Sequence, residues 1–247
     1  MLTWRRITKL HLVTATLATY FDLDVCHGGV LALTLHQMII PGIVLAGGRS
    51  SRMGRPKALL PAPMNHTFVS RVVRTLRDGG VDDVVVVVGA DGPVALVSEA
   101  LSGEDRPPRL VVNPEPALGQ LSSLLIGLRT VDHPGVAAML MTLVDMPLVS
   151  AKTVRVVLDA YRRTRAPVVR PARNGRHGHP VIFDRTLFSE LRQAEVSAGA
   201  KTVLRTHHTE ILDVAVEDDG AFLDIDTPDD YERAFGRPFG SGTDNDR

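Results

Sequence analysis

Glycines and cationic residues alternate in the segment 43–61, which reads Ile-Val-Leu-Ala-Gly-Gly-Arg-Ser-Ser-Arg-Met-Gly-Arg-Pro-Lys-Ala-Leu-Leu-Pro. Glycines that follow an apolar run let the backbone approach a ligand closely, and successive N–H groups of such a loop can bind phosphate oxygens. Arg52 and Lys57 add positive charge, the first as a planar fork and the second as a point charge. The segment therefore predicts a phosphate-binding loop.

Two common phosphate-binding loops do not fit this spacing. A Walker loop needs Gly-Lys followed by Ser or Thr, whereas Gly54 is followed by Arg-Pro-Lys. The dinucleotide pattern G-x-G-x-x-G is also absent, and the next predicted helix does not begin directly after the loop. The loop therefore belongs to another class.

Carboxylates follow at two later places in the chain. Asp145 comes directly after the apolar run 138–144, and Asp224 and Asp226 lie two residues apart before Thr227-Pro228. A side chain at the carboxyl end of a buried strand lies where open α/β sheets bind ligands, and Mg²⁺ is commonly held by one or two carboxylates plus substrate phosphates. We expect Asp145 and Asp226 to bind a metal, although the sequence alone leaves Asp224 open as the second ligand.

Two further polar segments follow predicted strands. The segment 113–123 brings Asn113, Gly119, Ser122 and Ser123 to the start of a helix, where N–H and hydroxyl groups can bind a nucleotide. The segment 170–180 carries three arginines and two histidines on a glycine-containing loop, which suits an anionic second substrate. No cysteine or third clustered ligand joins its histidines, so we do not expect a transition-metal site there.

These loops connect apolar runs that alternate with amphipathic segments from Met38 onward. Strands are predicted at 43–46, 84–88, 110–112, 138–144, 167–170, 181–183, 211–216 and 222–225, and helices at 66–78, 93–101, 121–131, 150–163, 186–194, 201–207 and 227–235. Strands that are apolar throughout, such as the five consecutive valines 84–88, are typical of parallel sheets covered on both faces. The pattern predicts an α/β fold, a Rossmann-like three-layer sandwich with a mainly parallel central sheet and helices on both faces.

Composition limits the partners of the chain and its compartment. The 247 residues include 28 Lys plus Arg and 28 Asp plus Glu, so no net charge favours nucleic acid or acidic membranes. Cys26 is the single cysteine, which excludes an internal disulfide and fits the cytoplasm. We expect residues 1–37 to be an extension, either disordered or upstream of a start at Met38. Residues 38–235 then form one domain, and 236–247 form a disordered tail.

Taken together, these motifs resemble the MobA/MocA-like nucleotidyltransferases, whose members attach CMP or GMP to molybdopterin-type cofactors. The family pattern L-x-x-G-x-G-x-R-x-G-x-P-K-x-L-L-P is matched over residues 45–61, with Ser50 where many related enzymes carry glycine. Further matches are Asn113, Gly119 and Ser123, Val144-Asp-Met-Pro147, Gly178-His-Pro180 and Asp226-Thr-Pro228. The resemblance implies the fold of the nucleotide-diphospho-sugar transferases, with 38–235 as the nucleotidyltransferase domain.

The resemblance also implies an activity and a set of site residues. The activity is Mg²⁺-dependent transfer of a nucleoside monophosphate from CTP or GTP to a phosphorylated acceptor, molybdopterin being the first choice, with release of pyrophosphate. Arg52, Lys57 and Asp145 would be catalytic, and Asp145 and Asp226 would hold the metal. The nucleotide-binding residues would be Leu45, Ala46, Gly47, Gly48, Arg52, Lys57, Asn113, Gly119, Ser122 and Ser123, and the acceptor-binding residues Arg170, His177, Gly178, His179 and Pro180.

Several alternatives stay open at this point. The same resemblance covers NAD(P)H-dependent nicotine-blue-type oxidoreductases, although Asp91 is a poor candidate for the ribose-binding acidic residue expected after a second strand. A non-catalytic accessory protein that binds a nucleotide or cofactor is the third reading. The expected partners are the nucleoside triphosphate, the acceptor, and a molybdoenzyme or its maturation factor, with neither nucleic acid nor membrane. The base, the acceptor and the oligomeric state are not fixed by the sequence.

Overall fold

The computed structural model describes residues 19–25, 31–48, 50–196 and 199–239, in two units, Met1–Ile39 and Ile40–Arg247. In the first unit, β1 (Thr19–Val25) and β2 (Leu31–Gln37) pair antiparallel, with Asp22 opposite Thr34. Residues 1–18 and 26–30 of the predicted extension and 240–247 of the predicted tail lie outside the described residues. The predicted division at 37 and 235 therefore stays a prediction.

The second unit alternates strands and helices. In chain order the elements are β3 (Gly42–Leu45), β4 (Pro61–Ala62), β5 (His66–Thr67), α1 (Phe68–Asp78), β6 (Val84–Gly89), α2 (Val94–Ser102), β7 (Arg109–Asn113), α3 (Gln120–Val131), β8 (Ala138–Leu143), α4 (Ala151–Thr164), β9 (Val168–Arg173), β10 (Arg176–His177), β11 (Val181–Asp184), α5 (Phe188–Gln193), α6 (Lys201–Thr206), β12 (Ile211–Ala215) and α7 (Pro228–Phe235). Short 3-10 helices include Lys57–Leu59, Pro116–Leu118, Arg185–Leu187 and Asp219–Phe222. None of the described helices is long and apolar enough to cross a membrane.

One central sheet organises this unit. Strands β7, β6, β3 and β8 lie side by side and parallel, with Val44 of β3 between Val86 of β6 and Thr142 of β8. Beyond β8 the sheet continues through the antiparallel β11 to β9, which pairs with β10 and, in parallel, with β12. The sheet is therefore mixed but mainly parallel, which confirms the predicted α/β architecture.

The core lies where α3 crosses the parallel strands. Ile43, Val85 and Leu124 are fully or almost fully buried in one apolar cluster. A Cβ added at Gly127 would lie 2.6 Å from Ile43 Cγ2, so the glycine lets the backbone of α3 approach β3. Each large aliphatic side chain buried in this way contributes about 1.5–3 kcal/mol to folding.

Local signals explain most element ends. Thr67 caps α1 by accepting a hydrogen bond from the N–H of Ser70, so the helix begins after the predicted residue 66. Ser150 caps α4 in the same way, as its position before an amphipathic run predicts. Pro228 occupies the first turn of α7 behind the cap residue Thr227, where its missing N–H costs nothing.

The predicted strand at 222–225 is wrong. The chain forms the 3-10 helix Asp219–Phe222 there, and residues 223–226 run on without a strand assignment. The backbone N–H of Ile225 donates to the carbonyl oxygen of Asp145 at 2.8 Å, in the loop after β8, rather than to a sheet neighbour. This hydrogen bond between segments that are distant in sequence sets the backbone conformation of residues 223–226. The apolar pattern of 222–225 does not predict such a contact.

Candidate active site

A cleft of about 900 Å³ opens at the carboxyl ends of the parallel strands. Leu45 ends β3, Gly89 ends β6, and Asp145 follows β8, and all three line the cleft. The chain passes from β3 to β6 on one side and returns to β8 on the other, so the strand order reverses here. Ligands of open α/β sheets bind at this kind of switch point.

The loop between β3 and the 3-10 helix Lys57–Leu59 forms one wall of the cleft. A Cβ added at Gly47 would lie 3.2 Å from Ser123 Oγ and 3.3 Å from the backbone nitrogen of Gly89, so a larger residue would push the loop away from the sheet. A Cβ at Gly48 would meet no described atom within 4 Å. The first glycine is therefore needed for close packing, and the second leaves the backbone accessible.

Ser50 explains the departure from the family pattern. Its φ of 50° lies in the left-handed region that favours glycine, which accounts for the glycine that many related enzymes carry at this position. Its hydroxyl oxygen accepts a hydrogen bond from the backbone N–H of Lys57 at 3.0 Å. The serine thus keeps the loop conformation and adds a contact that glycine does not offer.

Four charged side chains meet in the cleft. The Lys57 ammonium donates to Asp145 Oδ2 at 2.8 Å and also contacts Asp226 Oδ1, while Arg52 Nη2 lies 2.7 Å from Asp226 Oδ2. Burial alone lowers the pKa of Lys57, but its hydrogen bonds to the two carboxylates outweigh burial and raise the pKa above 10.5. The hydrogen bond from Lys57 lowers the pKa of Asp226 below 3.8, with a further contribution from Arg52. The lysine and Asp226 are therefore ionised at neutral pH.

The carboxylates fit a divalent metal held together with substrate. Asp145 Oδ1 is buried and has no hydrogen-bond partner among the described residues. A buried carboxylate oxygen without a partner is costly unless a ligand satisfies it. The described residues contain no cluster of three or more His, Cys, Asp or Glu able to hold a metal. Two carboxylates that share a metal with phosphates and water are the common arrangement for Mg²⁺.

Asp226 and Asp224 occupy different surroundings. Asp226 lines the cleft, whereas the described residues around the cleft do not include Asp224, which is exposed to solvent. The N-terminus of α7 holds Asp226 in place, because its backbone N–H donates to Asp230 Oδ2 at 3.2 Å. Of the two residues that the sequence left open, the geometry favours Asp226.

The predicted nucleotide-binding segment 113–123 divides into two layers. Gly119 and Ser123 line the cleft. Asn113 is 1% exposed and lies behind them, where its Nδ2 donates to Ser122 Oγ at 2.9 Å and to Ser123 Oγ at 3.0 Å. Ser122 in turn donates to the Gly119 carbonyl oxygen at 2.8 Å. Asn113 and Ser122 therefore support the cleft wall, and nucleotide contact by these two residues stays a prediction.

The predicted acceptor-binding residues do not line the cleft. Arg170 Nε lies 2.7 Å from Asp213 Oδ1, and His177 Nε2 lies 3.2 Å from Asp213 Oδ2. Gly178 packs so tightly that an added Cβ would lie 2.1 Å from the Ala221 carbonyl oxygen, and the next peptide bond, His179–Pro180, is cis. Nδ1 of His179 is buried without a hydrogen-bond partner in the described part of the chain. Acceptor binding by this loop stays a prediction.

The sequence reasoning missed cleft residues that follow β6. Gly89, Gly92 and Pro93 line the cleft together with Asp91, and Pro116, Ala117 and Gln120 extend the wall on the side of α3. A Cβ at Gly89 would lie 2.6 Å from Asp91 Oδ1 and 3.0 Å from Pro116 Cβ. A signal was present, because Gly89-Ala-Asp-Gly92 directly follows the five valines at the carboxyl end of a buried strand.

Comparison with known proteins identifies the family. Residues 42–211, more than half of the chain, match the family described as the MobA-like NTP transferase domain. The chain belongs to the MobA-like NTP transferase family. The resemblance read from the motifs is confirmed, and the protein is an enzyme of a nucleotidyltransferase family, with relatives named probable molybdenum cofactor guanylyltransferase.

Two curated relatives of this MobA-like protein carry different names. The nicotine blue oxidoreductase of Paenarthrobacter nicotinovorans is 32% identical over 211 residues, which cover 78% of this chain and 95% of that protein. The probable molybdenum cofactor guanylyltransferase of Mycobacterium avium is 31% identical over 166 residues, which cover 67% of this chain and 79% of that protein. Relatives of this chain therefore carry the names of two different activities.

Solved structures share the fold of this MobA-like chain. The crystal structure of Rv0371c from Mycobacterium tuberculosis H37Rv has 31% identity and a TM-score of 0.66, covering 81% of this chain and 98% of that chain. The complex of Rv0371c with manganese has 30% identity and a TM-score of 0.64, covering 79% and 97%. The manganese complex indicates that a relative with this fold takes a divalent metal.

Proposed function

We propose that this MobA-like protein transfers a nucleoside monophosphate from CTP or GTP to a phosphorylated acceptor and releases pyrophosphate, with Mg²⁺ bound by Asp145 and Asp226. The observation that carries the proposal is that both carboxylates contact the Lys57 ammonium inside the cleft. Asp145 Oδ1 has no hydrogen-bond partner among the described residues. The name of the Mycobacterium avium relative supports GTP and molybdopterin as substrates.

The chemistry needs alignment and charge neutralisation more than proton transfer. A phosphate oxygen of the acceptor attacks the α-phosphorus, the bond from the α-phosphorus to the bridging oxygen breaks, and pyrophosphate leaves with the electron pair. The acceptor phosphate is already ionised at neutral pH, so no general base is required. Mg²⁺, when bound, supplies positive charge to the phosphates.

The residues of the chain divide the remaining work. The backbone of Gly47 and Gly48 follows the carboxyl end of β3, where its N–H groups can bind phosphate oxygens. The Ala46 N–H already donates to the Val87 carbonyl oxygen at 2.8 Å, so Leu45 and Ala46 would line the site rather than donate to phosphate. Arg52 is 68% exposed at the cleft, so its guanidinium can reach a triphosphate while it also faces Asp226. Lys57 is 12% exposed and supplies a fixed positive charge beside the carboxylates. Gly119 and Ser123 complete the wall that would face the nucleotide.

The acceptor and its surroundings form the finer part of the proposal. Arg170, His177, Gly178, His179 and Pro180 remain the proposed acceptor-binding residues, on the strength of the charge of their loop. A molybdoenzyme or its maturation factor is the proposed protein partner, and neither nucleic acid nor membrane is expected. The balanced charge and the single cysteine support a place in the cytoplasm.

Pyrophosphate release tests the proposal directly. The purified chain is incubated with CTP, GTP or ATP, with Mg²⁺ or Mn²⁺, and with or without molybdopterin. We expect release that requires both metal and acceptor, and Asp145→Ala is expected to abolish it because one metal ligand is lost. Asp224→Ala is the matched control, since it removes a nearby carboxylate that does not line the cleft, and it should retain activity. Near-wild-type release by Asp145→Ala would refute the assignment.

A second candidate function is favoured by one observation. Asp91, a poor ribose-binding candidate from the sequence, lines the cleft two residues after β6, and a relative is named nicotine blue oxidoreductase. This reading predicts that nicotine blue oxidises NADH or NADPH, which is measured as the loss of absorbance of the reduced nicotinamide. Nicotinamide oxidation without any pyrophosphate release would replace the transferase proposal.

A non-catalytic accessory role is the third reading. The charged side chains of the motif are not merely present but in mutual contact, which argues against a loss of catalysis. Nucleotide binding without turnover of any substrate pair would favour this reading instead.

A further inference from the structure

A nine-residue segment, 218–226, ties the second proposed metal ligand to the loop after β8, and we call it the strap. At its first residue, Asp218 Oδ2 accepts hydrogen bonds from the Ser150 backbone N–H at 2.9 Å, the Ser150 hydroxyl at 2.8 Å and the Thr153 hydroxyl at 2.5 Å. Asp218 Oδ1 accepts from the backbone N–H of Gly220 at 3.1 Å. One carboxylate therefore joins the strap to the N-terminus of α4.

The strap is held at its middle and near its end as well. A Cβ added at Gly220 would lie 2.0 Å from the Leu148 carbonyl oxygen, so the two backbones touch where only glycine fits. Ile225 is fully buried, and its N–H donates to the Asp145 carbonyl oxygen at 2.8 Å. The strap thus follows residues 145–150 along its length and delivers Asp226 beside Asp145.

We propose that Asp218 is a positioning residue that fixes the separation of the Asp145 and Asp226 carboxylates and thereby sets the affinity of the site for a divalent cation. The proposal rests on the proposed metal site. Asp218 touches neither carboxylate, so it acts through the strap. Residues that orient metal ligands typically change metal affinity or activity by about 10- to 100-fold when they are replaced.

Asp218 is charged under the conditions of the reaction. Burial by itself raises the pKa of Asp218, but the hydrogen bonds from Thr153, Ser150 and Gly220 outweigh burial and hold the pKa below 3.8. The negative charge also lies at the N-terminus of α4, where the helix dipole stabilises it. The carboxylate is therefore a strong acceptor that an amide cannot replace fully.

Asp184, the last residue of β11, offers a matched control at the opposite end of β8 from Asp145. Its carboxylate accepts hydrogen bonds from the Tyr161 hydroxyl at 2.6 Å and from the N–H and hydroxyl of Thr186, both at 2.9 Å. Asp184 lies opposite Ala138, the first residue of β8, whereas Asp145 follows the last. Replacing Asp184 therefore removes a similar set of hydrogen bonds far from the metal site.

The experiment titrates the full-length protein with Mn²⁺ and follows free Mn²⁺ by electron paramagnetic resonance, alongside thermal unfolding. We expect Asp218→Asn to raise the Kd for Mn²⁺ about tenfold. Asp184→Asn should change that Kd by less than about twofold, because distant sites act independently. Both variants should lower the melting temperature, so the melting temperature reports the loss of hydrogen bonds and the Kd reports positioning.

Each outcome decides the inference. Wild-type binding that Asp218→Asn leaves unchanged, or that both variants weaken equally, overturns the positioning role while the metal site stands. A wild-type protein that binds no Mn²⁺, either alone or with CTP or GTP present, refutes the metal site and the inference with it; if binding needs the nucleotide, the variants are compared with the nucleotide present. Should Asp218→Asn fail to fold, Thr153→Val removes one hydrogen bond to the same carboxylate and is expected to weaken Mn²⁺ binding in the same direction, and an unchanged Kd in that variant counts against the inference.

Discussion

The cleft and the outer edge of the sheet use cationic side chains in different ways. In the cleft, Lys57 is 12% exposed and is shared between Asp145 and Asp226. At the outer edge, Arg170 and His177 both contact the carboxylate of Asp213, whose side chain is 43% exposed. The sequence predicted both groups of cations on loops that follow strands, whereas the structure places Arg170 within β9 and His177 within β10. The difference lies in the carboxylates, because Asp213 is half-exposed to solvent, whereas Asp145 Oδ1 is buried without a hydrogen-bond partner among the described residues.

The outer edge also engages its remaining arginines internally. Arg173 contacts Asp219 of the strap and stacks over the Phe222 ring with its guanidinium carbon 5.4 Å from the ring centre. Arg176 donates to the Phe222 carbonyl oxygen at 2.7 Å. The positive charge of this loop is therefore largely balanced by the protein itself. Positive charge on a segment does not by itself predict ligand binding, because the cations of the cleft and those of the outer edge are both paired with carboxylates.

The sharpest test of this comparison is Lys57→Ala against Arg170→Ala. Lys57→Ala should lower kcat/KM for pyrophosphate release by about 10²–10³, the usual cost of removing one charge-stabilising group from an active site. Arg170→Ala should change kcat/KM with respect to the nucleotide by less than about threefold, since its ion pair with the half-exposed Asp213 contributes only about 0–1 kcal/mol. Steady-state kinetics with the nucleotide as the varied substrate measures both.

Circular dichroism provides the control for this pair, and both variants should keep the spectrum of the wild type. Equal losses of kcat/KM in the two variants would remove the distinction between the cleft and the outer edge. A rise in KM for the acceptor in Arg170→Ala, with an unchanged KM for the nucleotide, is the result that the proposed acceptor role of this segment predicts.

A smaller effect on activity is expected at Ser50, which belongs to the cleft loop. Its hydroxyl contacts the backbone N–H of Lys57 and not the Lys57 side chain. Ser50→Ala and Ser50→Gly both remove the acceptor of the Lys57 N–H, a hydrogen bond that contributes about 0.5–1.5 kcal/mol. Both should raise KM for the nucleotide about three- to tenfold if the loop loosens by that amount. Glycine also relieves the left-handed φ, so Ser50→Gly should unfold at a higher temperature than Ser50→Ala.

The two Ser50 variants separate the hydroxyl from the backbone conformation. Equal melting temperatures would show that the φ of 50° carries no measurable strain in this loop. A wild-type KM in both variants would show that the hydroxyl does not help to place Lys57.

Motif and periodicity predicted what is local in this molecule. Lys57 and Asp145 could be predicted to lie in one cleft, because each follows a buried strand within a short pattern and parallel strands bring their carboxyl ends together. The strap could not be predicted, since Asp218 and Ser150 are far apart in sequence and no periodicity links them. For the same reason the segment 222–225 was wrongly expected to be a strand. The composition of the segment 170–180 showed that it is positively charged. It did not show that Asp213, which is distant in sequence, would pair with Arg170 and His177.

The smallest predicted effect concerns His207, a paired cation at the surface of the second half of the chain. Its Nε2 lies 2.7 Å from Glu190 Oε2 and its Nδ1 lies 3.1 Å from Glu210 Oε1. The hydrogen bond to Glu190 is the main cause that raises the pKa of His207 above 6.5, with Glu210 adding to it and burial opposing it. Protonated His207 therefore stabilises the fold below about pH 6.5, and this contribution is lost as the pH rises through the higher pKa of the folded state.

His207→Gln should accordingly lower the melting temperature more at pH 6 than at pH 9. The difference is expected to be about 2–4 °C at most, because a largely solvent-screened pair contributes no more than about 1 kcal/mol. His208→Gln is the matched control, since the His208 ring contacts the Arg205 carbonyl oxygen and no carboxylate among the described residues. The comparison isolates the two carboxylate contacts that His207 makes. If the melting temperatures of His207→Gln and His208→Gln depend on pH in the same way, the contacts of His207 with Glu190 and Glu210 contribute nothing to stability. The balanced charge at this surface would then serve solubility alone.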